Sequence, residues 1–381
     1  VEAKSVQRVG LLATQSIRGG ANRRILEHVK RTGDIFLAWD DEPWVLDGAA
    51  VHISFVGFDD GSEDEHVLDG RRVTTIHPDL TSGLDLTVAR RLAENAGIAF
   101  MGDTKGGAFD INANVAERLL AMPNPDGRDN ADVVIRRVNA RDLTGHPRNA
   151  WIIDFGTDMQ LEEAALYEGP FEYVREHVLP QREKNKRAAY SERWWIHAEP
   201  RPAMRRAIER LERYVATPIH TKHRLFVWLT RDVLPDHAII VLAREDDYFF
   251  GVLHSRVHEL WARGKGTQVR EVESGFRYTP TSTFETFPFP HQPPEDAVAD
   301  VAEAARRLNE LRVGWQNPPG LTPGELARRT LTNLYNSPPT WLRQAHERLD
   351  RAVHAAYGWP FPLADDEVLA RLLKMNLTRE A

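Results

Sequence analysis

From residue 182 to 195 the chain reads REKNKRAAYSERWW, which sets Arg182, Lys184, Lys186, Arg187 and Arg193 ahead of the pair Trp194 and Trp195. Lysine and arginine neutralise phosphates and release counterions, and an aromatic face can stack on a base, so this mixture suits a nucleic-acid strand. Arg206, Arg210 and Arg213 follow at i, i+4 and i+7, a basic stripe if the segment is helical, and Lys222 and Arg224 extend the series. A second concentration lies in RGKGTQVREVESGFR, residues 263–277, with Arg263, Lys265, Gln268 and Arg270. These side-chain types reach base edges bidentately or grip phosphates. The plainer readings are a solvated helix face with Glu209 and Glu212 paired locally, tryptophans in a core, and an ordinary surface loop. For the whole cluster DNA contact is favoured.

Other chemistry is weaker. GKGT is not a phosphate-binding loop, because the upstream glycine and the Gly-Lys-Ser/Thr order are missing. His220 with His223, and His254 with His258, invite a metal reading, but Glu259 follows the second histidine and no third ligand is evident, so no metal site is expected. Asp40, Asp41 and Glu42 close a strand-like run before Pro43, where a turn competes with a catalytic role. Asn317-Pro318-Pro319 is followed by Gly320 and reads as a helix-breaking loop.

The elements that must hold these residues are legible in outline. With 381 residues, 42% hydrophobic and 28% charged, the chain has apolar material for two or three domains. No run approaches the length of a membrane span, no basic-then-apolar leader opens the sequence, and cysteine is absent. A cytoplasmic location fits. The net charge of −7 is unevenly spread: 12 Lys/Arg face 18 Asp/Glu in residues 1–110, whereas 13 face 6 in residues 175–224. An acidic body thus carries a basic middle.

Arg8–Ile17, Asp34–Trp39 and Val51–Phe58 read as strands, with a helix after Gly20 and a probable antiparallel return at the third. Residues 83–122 read as mostly helical. Strands are expected at Asp132–Ile135, Trp151–Phe155, Leu225–Leu229, Ala238–Ala243 and Tyr248–Leu253, and a helix at Pro202–Val215 burying Met204, Ile208, Leu211 and Val215. Leu253, Val257, Leu260 and Trp261 form one helical stripe, followed after the loop by an aromatic strand ending in FPFP. Three helical patterns close the chain. The fold class is α/β, in three parts: an incomplete Rossmann-like sheet (1–120), a mixed α/β domain (121–292) and a helical domain (293–381).

GLLATQSIRGGANRR, WIIDFG, VLPQRE, RWW, DDYFFGVLHSRVHE, FETFPFP and NLYNSPPTWLRQAHERLDRAV occur in this order. In that series the chain resembles the C-terminal part of the MmeI-type DNA methyltransferases: the end of the class I methyltransferase domain, the target-recognition domain and the helical tail. The resemblance implies sequence-specific duplex binding, extrusion of an adenine, and methyl transfer from S-adenosylmethionine within restriction-modification or phage defence. It also implies that Gln15, Ser16, Arg18 and Gly19 line the catalytic cleft. The family's glycine-rich donor turn and its Asn-Pro-Pro-Tyr/Phe loop are not in this sequence. The chain alone is therefore expected neither to bind the methyl donor tightly nor to methylate, and to act with an N-terminal methyltransferase portion or subunit. The alternatives are a specificity subunit docking a separate methyltransferase or nuclease, and a hydrolase built on the His pairs.

Overall fold

Strand β1 (Arg8–Thr14) leads through a helix, Arg24–Thr32, to β2 (Asp34–Leu46), and β3 (Ala49–Asp59) returns antiparallel between them. The computed structural model describes residues 7–18, 20–46, 49–184, 188–268 and 276–379. It divides into Val1–Ala89 with Ala364–Leu373, and Arg90–Leu363 with Lys374–Ala381. In the first unit the sheet order is β1-β3-β2-β4-β5, where β4 is His66–Leu68 and β5 is Arg71–Val73. Leu26 and Val29 of the helix pack on Ile35, Ala38 and Val56, which makes one face of the sheet a core. The strand–helix–strand–return order is the one the sequence indicates. Two bounds differ: β1 ends at Thr14, and Asp40 and Asp41 lie inside β2 at a register shift, not at a strand end.

The second unit carries three small sheets. One is β12 (Val227–Thr230), β10 (Arg213–Pro218), β14 (Ile239–Leu242) and β6 (Ala99–Met101). Another is β13 (Val233–Pro235), β8 (Val134–Val138), β9 (Ala150–Ile153) and β7 (Asp110–Ile111). The third is β11 (His220–Thr221), β16 (Phe276–Arg277) and β15 (Thr267–Gln268). Phe109, Ile152, Ile153, Val174 and Val178 centre one core; Met204, Tyr214, Ile239 and Val241 centre another. Between them sits a buried ionic group. His197 Nδ1 lies 2.7 Å from Asp103 and Nε2 lies 2.9 Å from the Ile153 carbonyl, so the ring satisfies both only as a double donor. Arg205 bridges Asp103 (3.1 Å) and Asp154 (2.7 Å).

Several expected elements take another form. Residues 83–122 contain one α-helix, Ala113–Leu120, among turns and short strands. The backbone at Gly102 comes so close to Asp236 that a Cβ would lie 2.2 Å from its carbonyl oxygen, and Gly106 holds φ +61°. The helix at Pro202 stops at Ile208, and Val215 is buried from strand β10. The apolar spacing from Met204 to Val215 thus spans two elements. Tyr248–Leu253 is not a strand but part of the helix Asp247–His254, started by Asp246, whose carboxylate accepts from Phe249 N–H at 2.8 Å. Most of this helix is buried, which erases the polar half of its period. Ser255 then caps a separate helix, Arg256–Lys265. The aromatic strand is two residues long, and Pro280–Phe284 forms a π-helical turn. Helices Glu295–Gln316, Thr340–Ala356 and Asp365–Thr378 appear as expected, with a short helix Leu331–Asn336 among them.

Candidate nucleic-acid interface

The basic-aromatic segment does not face outward as a block. Arg182 is 2% exposed; its guanidinium donates to the carbonyls of Lys105 (2.8 Å) and Ile196 (3.2 Å) and lies over Tyr190, and burial lowers its pKa. Trp195 is 7% exposed and donates from Nε1 to Met159 O. Trp194 is half-buried between Phe171 and Trp195. Lys184 and Arg193 are exposed, Arg193 donating to Thr157 O. Lys186, Arg187, Arg270 and Gly19 lie outside the described residues.

The expected stripe of Arg206, Arg210 and Arg213 is divided by the end of the helix at Ile208. Arg206 and Arg210 are exposed, whereas Arg213 belongs to β10, stacks 3.9 Å over Trp228 and pairs with Asp247. Arg206 reaches, with Arg231, a groove of about 680 Å³ floored by Met204, Ile135 and Leu234. Arg263 is paired with Glu259 (2.7 Å) and lies over Phe276. Lys265 is half-buried and has a partner, and Gln268 lies in β15. In the first unit Gln15 opens a 3-10 turn, Ser16 is exposed and accepts from Asn22, and Arg18 forms an ion pair with Asp40.

What the structure does bring together is the small sheet β11-β16-β15. His220 and Thr267 flank Arg277 in register, and His220, Lys222 and Arg277 are exposed. Beneath them Tyr278 is 1% exposed, its N–H bonded to Ile219 O. Arg224 lies over the Tyr278 ring and donates to Thr217 Oγ1, Pro218 O and Phe276 O; burial lowers its pKa to about 10. Arg224 is thus a bolt for the sheet, with its donors turned to carbonyls. His258 accepts from Tyr278 Oη at Nε2 (3.0 Å) and donates from Nδ1 to Leu253 O; burial lowers its pKa to about 3. His254 Nε2 accepts from Phe226 N–H and from Arg312. The two rings sit on separate helices and are spent on interior hydrogen bonds. Among the described residues no group of three metal-ligating side chains occurs.

Arg277 and His220 were not singled out by counting charge. Their signal is strand alternation: Arg277 stands between Phe276 and Tyr278, so two aromatic rings turning inward send it outward. His220 is held below its ordinary pKa by burial, then by Arg277 and Arg224. Lys222, Arg277, Arg206 and Arg210 have no carboxylate partner among the described residues. Several arginines of the C-terminal helices are matched instead, Arg307 with Glu310, Arg351 with Glu347 and Arg371 with Glu367.

No family model matches the chain. DNA methyltransferase A of Bacillus subtilis (strain 168) is 29% identical over 146 residues, 38% of this chain and 15% of that protein. The type IIL restriction-modification enzyme MmeI, solved in complex with DNA, superposes with a TM-score of 0.76 at 20% identity, covering 99% of this chain and 50% of that one. The chain therefore spans about half the length of that enzyme. Among the described residues no helix is long and apolar enough to cross a membrane. Fold and sequence together bear out the resemblance read above: the chain is built like the C-terminal part of an MmeI-type DNA methyltransferase.

Proposed function

We propose that the chain is the DNA-recognition portion of a site-specific adenine DNA methyltransferase of a restriction-modification or phage-defence system. It holds duplex DNA and positions an extruded adenine for methylation. The observation that carries this reading is the small sheet: Arg277, His220 and Lys222 stand exposed, without a carboxylate partner for either cation among the described residues, on a packed base of Tyr278, Arg224 and His258. A cation fixed on a strand over a packed core can keep the geometry that a base edge requires. Lys184, Arg193, Arg206 and Arg210 supply phosphate contacts, while Arg182, Trp195, Arg213 and Arg224 support them from inside.

S-adenosylmethionine is the donor of the complete reaction. The described residues beside β1 do not fit it: Arg18 is tied to Asp40, Ser16 is exposed, and the family's glycine-rich turn is not in the sequence. Donor binding belongs to another methyltransferase portion or subunit. The uncovered face of the first sheet suits such a partner. There Leu12 is 51% exposed and lines, with Trp39 and Phe55, a trough of about 590 Å³, and Trp39 and Trp44 each meet Phe55 edge-on. The test is binding of duplex DNA by the chain across a salt series, with Arg277→Ala beside the parent. Loss of affinity that depends on the base sequence supports the reading; parent protein that does not bind duplex ends it.

A further inference from the structure

We propose that the turn Asn336–Thr340, with Arg343, forms a second, sequence-independent contact for duplex DNA, gripping a backbone phosphate beside β16; this rests on the reading of the small sheet as a DNA interface. The link is direct. His223 follows Lys222 on the connection out of β11, and its Nε2 lies 2.9 Å from Asn336 Oδ1, with its ring 6.0 Å from that of Tyr335. The helical part of the unit thus meets the edge of the small sheet. A recess of about 330 Å³ opens there, lined by His223, Arg256, Tyr335, Arg343, His346 and Asp350.

The charge of this recess is in excess. Arg343 is exposed, and its guanidinium is oriented by its own turn, donating to Pro338 O and to Thr340 Oγ1 (3.2 Å). It has no carboxylate partner among the described residues, whereas Arg348 and Arg351 of the same helix pair with Glu303 and Glu347. The two carboxylates nearby are already satisfied or suppressed. Glu259 is held by Arg263 (2.7 Å) and Arg256 (3.3 Å). Asp350 accepts the Arg256 N–H at 2.6 Å, and burial pushes its carboxyl up to about 7. That oriented guanidinium lines the same recess as His223, the residue after Lys222, so the basic surface of the small sheet continues onto a helical turn. A duplex lying on β16 would carry its flanking phosphates over that turn.

The experiment is fluorescence anisotropy of the whole chain with a labelled duplex of arbitrary sequence across a salt series. The variants are Arg343→Gln, Arg343→Lys and Arg348→Gln. Arg343→Gln is expected to weaken binding several-fold and to reduce the slope of log K against log salt by about 0.9, the loss of one phosphate contact. Arg343→Lys should restore the slope, and Arg348→Gln, an ion-paired residue on the same helix, should leave it unchanged. Thermal midpoints of these three variants, and of Lys222→Ala as the reference for the small sheet, confirm folding. If Arg343→Gln keeps the parental slope while Lys222→Ala reduces it, the second contact is wrong and the small-sheet reading stands. Parent protein with no affinity for duplex overturns both.

Discussion

In the stretch from Arg182 to Trp195 one basic and one aromatic side chain, Arg182 and Trp195, both turn inward, whereas around Arg277 they divide, Tyr278 into the core and the guanidinium out. Both stretches mix the same residue types. In the first, Arg182 uses its donors on the carbonyls of Lys105 and Ile196, and Trp195 on that of Met159. In the second, Arg224 takes over that interior duty and leaves Arg277 and Lys222 free of carboxylates among the described residues. Local density of positive charge therefore does not locate an interface. The interface proposed above rests instead on a cation that stands outward between the half-buried Phe276 and the buried Tyr278 and has no carboxylate partner among the described residues.

The comparison breaks most visibly in acid. His254 and His258, buried beneath β16, are both held well below the ordinary histidine value, chiefly by burial. The unfolded chain takes up their protons first, so stability is present above about pH 6.5 and is lost as pH falls. Each ring should contribute a loss of about 1.4 kcal/mol per pH unit below its unfolded value. Asp350, whose carboxyl is pushed up to about 7, stabilises the fold as pH falls and offsets part of this loss, so the test is a difference. A pH dependence of the urea midpoint between pH 6.5 and 4 that is the same in the parent and in His258→Gln would show that these rings are not the neutral supports described. Next in size is Arg182→Ala, expected to lower stability by about 3 kcal/mol through an interior void and two abandoned carbonyls. A variant that keeps its unfolding midpoint but loses DNA affinity would return Arg182 to the surface. Arg277→Ala should do the reverse: an unchanged midpoint, and about 1–3 kcal/mol less discrimination against the wrong base pair.

The first sheet was legible because strand, helix and return each occupy their own stretch of sequence with its own period. Its core residues Leu26, Val29, Ile35 and Val56 follow from that pattern. The second unit was less legible for a physical reason. Between residues 202 and 218 a helix gives way to a strand after Ile208, and the apolar positions of both happen to match one helical period. At Tyr248 a helix buried on nearly every side leaves no polar phase to read. The exposed cations Lys184, Arg193, Arg206 and Arg210 were found by composition. Arg182, Trp195 and Arg224 were placed outside by the same reasoning, since a side chain that bonds to distant carbonyls leaves no mark in local sequence. The histidines at 254 and 258 share a spacing of four but not a helix, because Ser255 caps a new one between them.

The smallest effect tests the outward side of the comparison at one atom group. His220 stands opposite Arg277 in register, and burial with the charges of Arg277 and Arg224 keeps it neutral near pH 7. A phosphate laid across the strand would offset those two cations and favour the imidazolium. DNA affinity should then rise as pH falls below about 6.5, with the salt slope steepening by up to about 0.9 as one more cation joins the contact. His220→Gln should remove this pH dependence and leave binding at pH 8 near the parental value. Because the buried histidines lose stability in the same direction, the measurement needs a folded fraction at each pH from circular dichroism. An affinity that falls with pH in step with unfolding, in parent and His220→Gln alike, would place His220 away from the phosphate and confine the contact to Arg277 and Lys222.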